Sequence, residues 1–328
     1  MIDLKQNGKL GFGTAPLGNM FRDVPEEEAL ETVKCAWDKG IRYFDTAPFY
    51  GAGLAEMRLG KVLSNYNRDD YVLSTKVGRL ILDEEEEKEG LFEFGRKNKI
   101  VNDYTAEGTR HSIEDSLKRL KTDRLDFVYV HDISQDFLGD EWLSKFEEAR
   151  TGAFRELNKL RDEGVIKGWG LGVNKTEPIE LANELEETKP DIHVQATHYT
   201  LLDHEYALQR LMPGSEEKEI KIVVGAPFGS GVIAGGSHYA YQNASSEINS
   251  RVERMNEIAK RHQVSLISAA LQFSAAHPAV AAVIPGTTRP ERILENIIAM
   301  NADIPVAFWQ EMREQKLISP EAPLPINE

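Results

Sequence analysis

Residues 41–51, Ile41-Arg-Tyr-Phe-Asp-Thr-Ala-Pro-Phe-Tyr-Gly51, read as a short buried strand that runs into a Pro/Gly loop. Ile41, Tyr43 and Phe44 supply apolar and aromatic bulk, while Pro48, which has no N–H to offer, and Gly51 stop the strand from continuing. The strand therefore ends by delivering an acid, Asp45, and a phenol, Tyr50, into a loop. Two titratable groups at a strand end suit a fold that gathers its chemistry there, and the rest of the chain decides whether this is such a fold.

Outward from this stretch, strand and helix patterns alternate almost from end to end. A strand over 9–13 precedes an amphipathic helix over 26–39, with Ala29, Leu30, Val33, Ala36 and Trp37 at helical spacing and Gly40 as a stop. Strand 41–46 leads to helix 55–64, strand 71–76 to helix 106–121, and strand 125–131 to helix 151–163. The second half pairs strand 167–173 with helix 178–188 and strand 192–198 with helix 205–211. Strand 221–226 then leads to a helical region over 246–276, and strand 280–284 to helix 290–300. About eight such units predict an α/β fold, a (β/α)8 TIM barrel with its active site at the carboxyl ends of the strands.

No Pro/Ser-rich linker breaks the alternation, so residues 1–328 read as one domain. The long connections 78–104, 132–150 and 228–245 each follow a strand, the side on which such barrels build their sites. The run Glu84–Glu87 reads as a solvated loop, and the Pro-containing tail from about residue 319 as a segment that wraps the outside or frays.

The hydrophobic content of 41% is ample for a large core, and the net charge of -15 argues against nucleic-acid phosphates or an anionic membrane as partners. The opening Met1-Ile-Asp-Leu-Lys-Gln6 lacks secretory-signal character and no apolar run is long enough to span a bilayer, so a soluble, cytoplasmic protein is expected. The one cysteine, Cys35, falls in a helical pattern and reads as a small buried hydrophobe; no metal site is expected.

Asp45 ends the second strand, Lys76 the third and His131 the fourth, with Tyr50 just past the second. Singly, each has a plain explanation: a loop cap, a surface charge, a satisfied core imidazole, an amphipathic rim residue. Together they converge on one end of adjacent strands, and a lysine beside an aspartate in a mostly apolar cleft is costly without a purpose. A phenol has a pKa of about 10, so the Lys76 ammonium is expected to lower that of Tyr50, with Asp45 fixing the lysine and His131 hydrogen-bonding a substrate oxygen or the phenol. Such a site protonates a carbonyl oxygen as hydride arrives, or takes the proton of an alcohol as hydride leaves.

This set, with Gly11-Phe-Gly-Thr14, Phe44-Asp-Thr-Ala-Pro-Phe-Tyr-Gly-Ala-Gly-Leu-Ala-Glu56 and Leu59-Gly60, resembles the aldo-keto reductases over nearly the whole chain. The resemblance implies a (β/α)8 barrel, hydride transfer with NADP or NAD, and a catalytic tetrad of Tyr50, Lys76, Asp45 and His131. It also implies that Gly13 and Thr14 border the cofactor and that Asn174 and Gln195 anchor the nicotinamide carboxamide. It likens Gly225-Ala-Pro-Phe-Gly-Ser-Gly231 to the pyrophosphate loop, giving Ala226, Pro227, Phe228, Ser230 and Gly231. The stretch from Ile284 resembles the adenosine-phosphate segment, giving Gly286, Thr287, Thr288, Arg289, Arg292, Glu295 and Asn296. Val173 replaces the family's serine, and Gly225 or Ala226 its stacking tyrosine. Gly286 stands where many NADP-preferring members have a lysine, which leaves both NAD and NADP open.

The wording of 45–51 and Val130-His-Asp132 is similar to the bacterial branch of aldose (L-fucose type) 1-dehydrogenases and pyridoxal 4-dehydrogenases. That implies a polar carbonyl or sugar substrate, with Phe92, Phe94, Trp142, Tyr239 and Tyr241 as pocket candidates on the long loops. Two other readings stay open: a Schiff-base aldolase using Lys76, and a non-catalytic regulatory module that retains a cofactor site.

Overall fold

The structure is a computed structural model that describes residues 9–326. Met1–Gln6, read above for signal character, lies outside the described residues. Among the described residues, eight parallel strands form one sheet: β1 (Phe12–Gly13), β2 (Tyr43–Asp45), β3 (Val72–Val77), β4 (Phe127–His131), β5 (Gly168–Val173), β6 (Ile192–Ala196), β7 (Lys221–Gly225) and β8 (Val280–Ile284). Each pairs with the next in sequence, and parallel bridges Leu10↔Val283 and Gly13↔Gly286 bring the last strand back to the first. The expected barrel is therefore the observed one.

Local chemistry accounts for the helices between the strands. Helix α1 (Glu26–Asp38) opens with three glutamates, which favour the positive end of the helix dipole, and buries Ala29, Thr32, Val33 and Ala36. Helix α2 (Leu54–Leu63) follows the Tyr50 loop. In α3 (Ala106–Leu120) the Thr105 side chain accepts the Gly108 N–H, satisfying one of the four amides that a helix start leaves open. The last helix of the repeat, α4 (Pro290–Met300), starts with proline, whose missing N–H costs nothing at that position.

Inside the barrel, Tyr43, Phe127, Tyr129, Ile192, Val194, Val223, Ala282 and Ile284 form a core of their own, separate from the larger cluster between strands and helices. This two-sided burial explains why the strands read as near-continuous apolar runs.

The long connections are more ordered than the sequence implies. Residues 78–104 contain a hairpin of Arg79–Glu85 against Asn98–Asn102, and Glu84 and Glu87 sit there opposite Lys99 and Lys97. Residues 132–150 fold into Gln135–Leu138 and most of Trp142–Thr151, after which Gly152 separates a second helix, Ala153–Asp162. The expected helix over 205–211 is a series of turns, and the helix there is Leu211–Glu217. The region 246–276 is two helices, Ser246–Arg261 and Leu266–Ala276, parted where Gln263 adopts a left-handed φ of 57°. A helix not anticipated, Val306–Glu314, buries Phe308, Trp309 and Met312, and the tail beyond it packs Ala322 against the core. Among the described residues no helix is long and apolar enough to cross a membrane.

Candidate active site

Register places the polar groups. Asp45 lies opposite Ser74, and Lys76 lies opposite Tyr129 on β4, so alternate residues of β2, β3 and β4 meet inside the barrel. Ser74 donates to Asp45 Oδ1 at 2.7 Å, and Lys76 Nζ donates to Asp45 Oδ2 at 2.6 Å and to the Thr46 carbonyl at 2.9 Å. Because Ser74 spends its proton on Asp45, its oxygen accepts from Tyr43, which in turn accepts from Tyr129, at 3.0 and 3.1 Å. Gly172 on β5 leaves room for the lysine stem, since a Cβ there would lie 3.1 Å from Lys76 Cε.

Tyr50 is set by backbone contact. Gly51 has φ 65°, and a Cβ on it would lie 2.2 Å from the Gly18 carbonyl, so only glycine lets the two loops touch. The Tyr50 ring then lies 4.8 Å from Lys76 Nζ and 5.7 Å, edge-on, from the His131 ring. Burial pushes the phenol well above its usual pKa, and Asp45 and Asp132 push it further; the Arg79 guanidinium opposes them. The expectation that Lys76 lowers the phenol is therefore corrected: the ammonium is committed to Asp45, and the site keeps Tyr50 protonated.

His131 is uncharged, because burial first, then Lys76 and Arg79, hold its pKa well below the usual range. The Tyr104 hydroxyl donates to its carbonyl at 3.0 Å. Two neighbours that had no expected site role, Arg79 and Asp132, are joined by a 2.8 Å ion pair. The Arg79 guanidinium lies 4.1 Å from the Phe49 ring centroid and 5.1 Å from that of Phe137. Asp132 directly follows a strand-end residue, the same signal that singled out His131.

A cavity of about 560 Å³, within the range of small-molecule sites, extends from Asp45 and Tyr50 across the barrel mouth. Gly13 and Thr14 line it, as do Ala226, Pro227, Phe228, Ser230 and Gly231. The far end is lined by Gly286, Thr287, Thr288, Arg289, Arg292, Glu295 and Asn296. Arg22, absent from the sequence reading, joins that end and donates to Thr288 Oγ1 at 2.5 Å.

Gln195 lies between the lining residues Val194 and Ala196. Its Nε2 donates to the carbonyls of Asn174 and Ala196, which leaves Oε1 buried without a partner among the described residues. An orphaned amide oxygen between two lining residues, with arginines and the start of α4 at the far end, fits a nicotinamide dinucleotide. Asn174 does not line the cavity, and its side chain donates to Asp136 at 2.9 Å.

Of the expected pocket aromatics, Tyr241 lines the cavity. Ala240 and Tyr241, both at positive φ, form the turn between His238–Tyr239 and Gln242–Asn243, and Ser230 Oγ accepts the Tyr241 N–H at 3.0 Å. Phe92 packs beside Tyr50 and Phe49 without lining the cavity. The other three fall outside it: Phe94 is exposed, Trp142 opens a helix, and the Tyr239 hydroxyl donates to Asp203 at 3.2 Å. The aromatic types alone carried no information about direction.

Residues 9–316 match the model of the Aldo/keto reductase family. The pyridoxal 4-dehydrogenase of Microbacterium luteolum is 36% identical, with 94% of each chain covered. The D-threo-aldose 1-dehydrogenase of a Pseudomonas species is 35% identical, again over 94% of each chain. Among solved structures, the aldo-keto reductase AKR11C1 from Bacillus halodurans, in its holo form, superposes with a TM-score of 0.69 at 25% identity, covering 95% of this chain and 92% of that one.

Proposed function

Since the chain belongs to the Aldo/keto reductase family and is an NAD(P)-dependent oxidoreductase acting on CH–OH groups, we propose that it works on an aldose at C1 or on a small aldehyde, with Tyr50 as the proton-transfer group. One barrel domain and a cytoplasmic setting belong to the same reading. The observation that carries it is the buried Asp45–Lys76 pair beneath Tyr50, at the end of a cavity that fits a dinucleotide. The names of the aldose and pyridoxal dehydrogenases support the substrate class.

When bound, the nicotinamide supplies or accepts the hydride. Gln195 and the loop following β7 would hold it, with Arg22, Arg289 and Arg292 at its adenosine end. In reduction, Tyr50 starts protonated and its O–H bond breaks as the carbonyl oxygen takes the proton. The phenolate left behind is favoured by the Arg79 guanidinium, while the Lys76 ammonium 4.8 Å from the ring stays paired with Asp45. Neutral His131 donates a second hydrogen bond to the same oxygen. Oxidation of an alcohol is the reverse. The Schiff-base alternative requires a free amine at Lys76, whereas that ammonium is 2% exposed and paired with Asp45.

A panel of aldoses, small aldehydes and pyridoxal, read by the absorbance of reduced nicotinamide with NAD and NADP, tests the proposal. Turnover of an aldose or aldehyde with either cofactor is expected. Turnover of none of them contradicts it.

A further inference from the structure

The carboxylate beside His131 enters the proton transfer described above only by raising the Tyr50 phenol. Asp132 sits one residue past β4 with φ 50°, and its N–H donates to the Gly172 carbonyl at 3.0 Å. That left-handed backbone is uncommon outside glycine, although aspartate tolerates it better than most residues. Asp132 Oδ2 accepts from Arg79 Nη2 at 2.8 Å, and the same oxygen lies 3.5 Å from His131 Nε2.

An uncharged imidazole carries its proton on one nitrogen or the other. Nδ1 of His131 is buried without a partner among the described residues, so a proton there would be a buried, unsatisfied donor. A proton on Nε2 instead faces a carboxylate, too far for a hydrogen bond but well placed for Coulomb attraction. We propose that Asp132, held in place by Arg79, is a positioning residue that fixes His131 as its Nε2–H tautomer, so that Nε2 is the donor to the substrate oxygen. The assignment of that oxygen rests on the function proposed above; the tautomer itself does not.

Arg79 from the hairpin, Lys76 from β3, Asp136 from Gln135–Leu138, and the phenols of Tyr50, Tyr104 and Tyr241 surround Asp132 together with His131. Burial, partly offset by Arg79, raises its carboxyl to about 6. Asp132 is therefore ionised at neutral pH and loses its hold on the tautomer below that value.

The test is nitrogen-15 NMR of histidine-labelled full-length protein, with His131→Gln to assign the ring. At pH 7.5 the wild type is expected to show the Nε2–H pattern, and acidification to pH 5 to shift it with a midpoint near 6. Asp132→Asn is expected to give mixed tautomers at pH 7.5 and to lower kcat for aldehyde reduction on the order of tenfold with KM little changed, a fraction of what a full acid–base group supplies. Its pH profile should lack the limb near 6. A wild-type ring that is Nδ1–H, or one unaltered between pH 7.5 and 5, overturns the proposal even if Asp132→Asn fails to fold. A folded Asp132→Asn with an unchanged tautomer also overturns it. A wild type that shows the Nε2–H pattern and its shift but reduces no carbonyl supports this inference and removes the proposed function instead.

Discussion

Breaking the Asp45–Lys76 pair one partner at a time should cost far more than the lost hydrogen bonds. Both side chains are 2% exposed and their charged atoms lie 2.6 Å apart. Lys76→Met leaves the Asp45 carboxylate buried with Ser74 as its remaining side-chain donor. Asp45→Asn leaves the ammonium with the Thr46 carbonyl and a neutral amide. Stranding either charge costs about 3–5 kcal/mol. Removing both leaves no buried charge, so the double variant should cost no more than one single variant, a coupling of at least about 3 kcal/mol. Against a total stability of about 5–15 kcal/mol, the single variants should still fold. Urea unfolding followed by the fluorescence of buried Trp169 and Trp309, with free energies from linear extrapolation, gives all four corners of the cycle. Additive costs, within about 0.5 kcal/mol, would refute the reasoning that the two charges neutralise one another.

Two further outcomes follow from single residues. His193 is fully buried, its Nδ1 accepting from the Leu171 N–H, and burial lowers its pKa to about 3. The unfolded chain therefore binds a proton between about 3 and 6.5 that the folded chain does not, so this residue's contribution to stability falls as pH drops below about 6.5. Between pH 7 and pH 5 the loss from His193 should be about 2 kcal/mol, and His193→Gln should flatten that part of the urea-derived stability profile. Gly51→Ala forces a Cβ into the Gly18 carbonyl at a left-handed φ, so it should lower stability by at least about 1–3 kcal/mol and kcat with it, checked by unfolding and by turnover.

The barrel was legible because its strands are buried on both faces and its helices on one, which writes two distinct periodicities into the chain. The tetrad residues were legible because strand ends are countable from those periodicities. Arg79 was not, because its position depends on the hairpin over 79–102, whose strands have neither the apolar alternation nor the turn residues of a typical hairpin. Tyr241 was named as a pocket residue only for its aromatic type. What sends it inward is a turn built on Ala240 and Tyr241 at positive φ, where asparagine or glycine is the usual signal. The protonation state of Tyr50 depends on which carboxylates surround it and which cation is already spent, neither of which a linear pattern records.

The proposed chemistry stands on Tyr50 as the group that moves the proton. Tyr50→Phe keeps the ring beside Phe92 and His131 and removes only the hydroxyl. Steady-state turnover of an aldose or aldehyde, paired with fluorescence titration of NADH and NADPH binding, should show kcat reduced by about 10²–10⁴-fold with cofactor affinity within about threefold of wild type. Turnover equal to that of the wild type, with the cofactor still bound, would contradict the account.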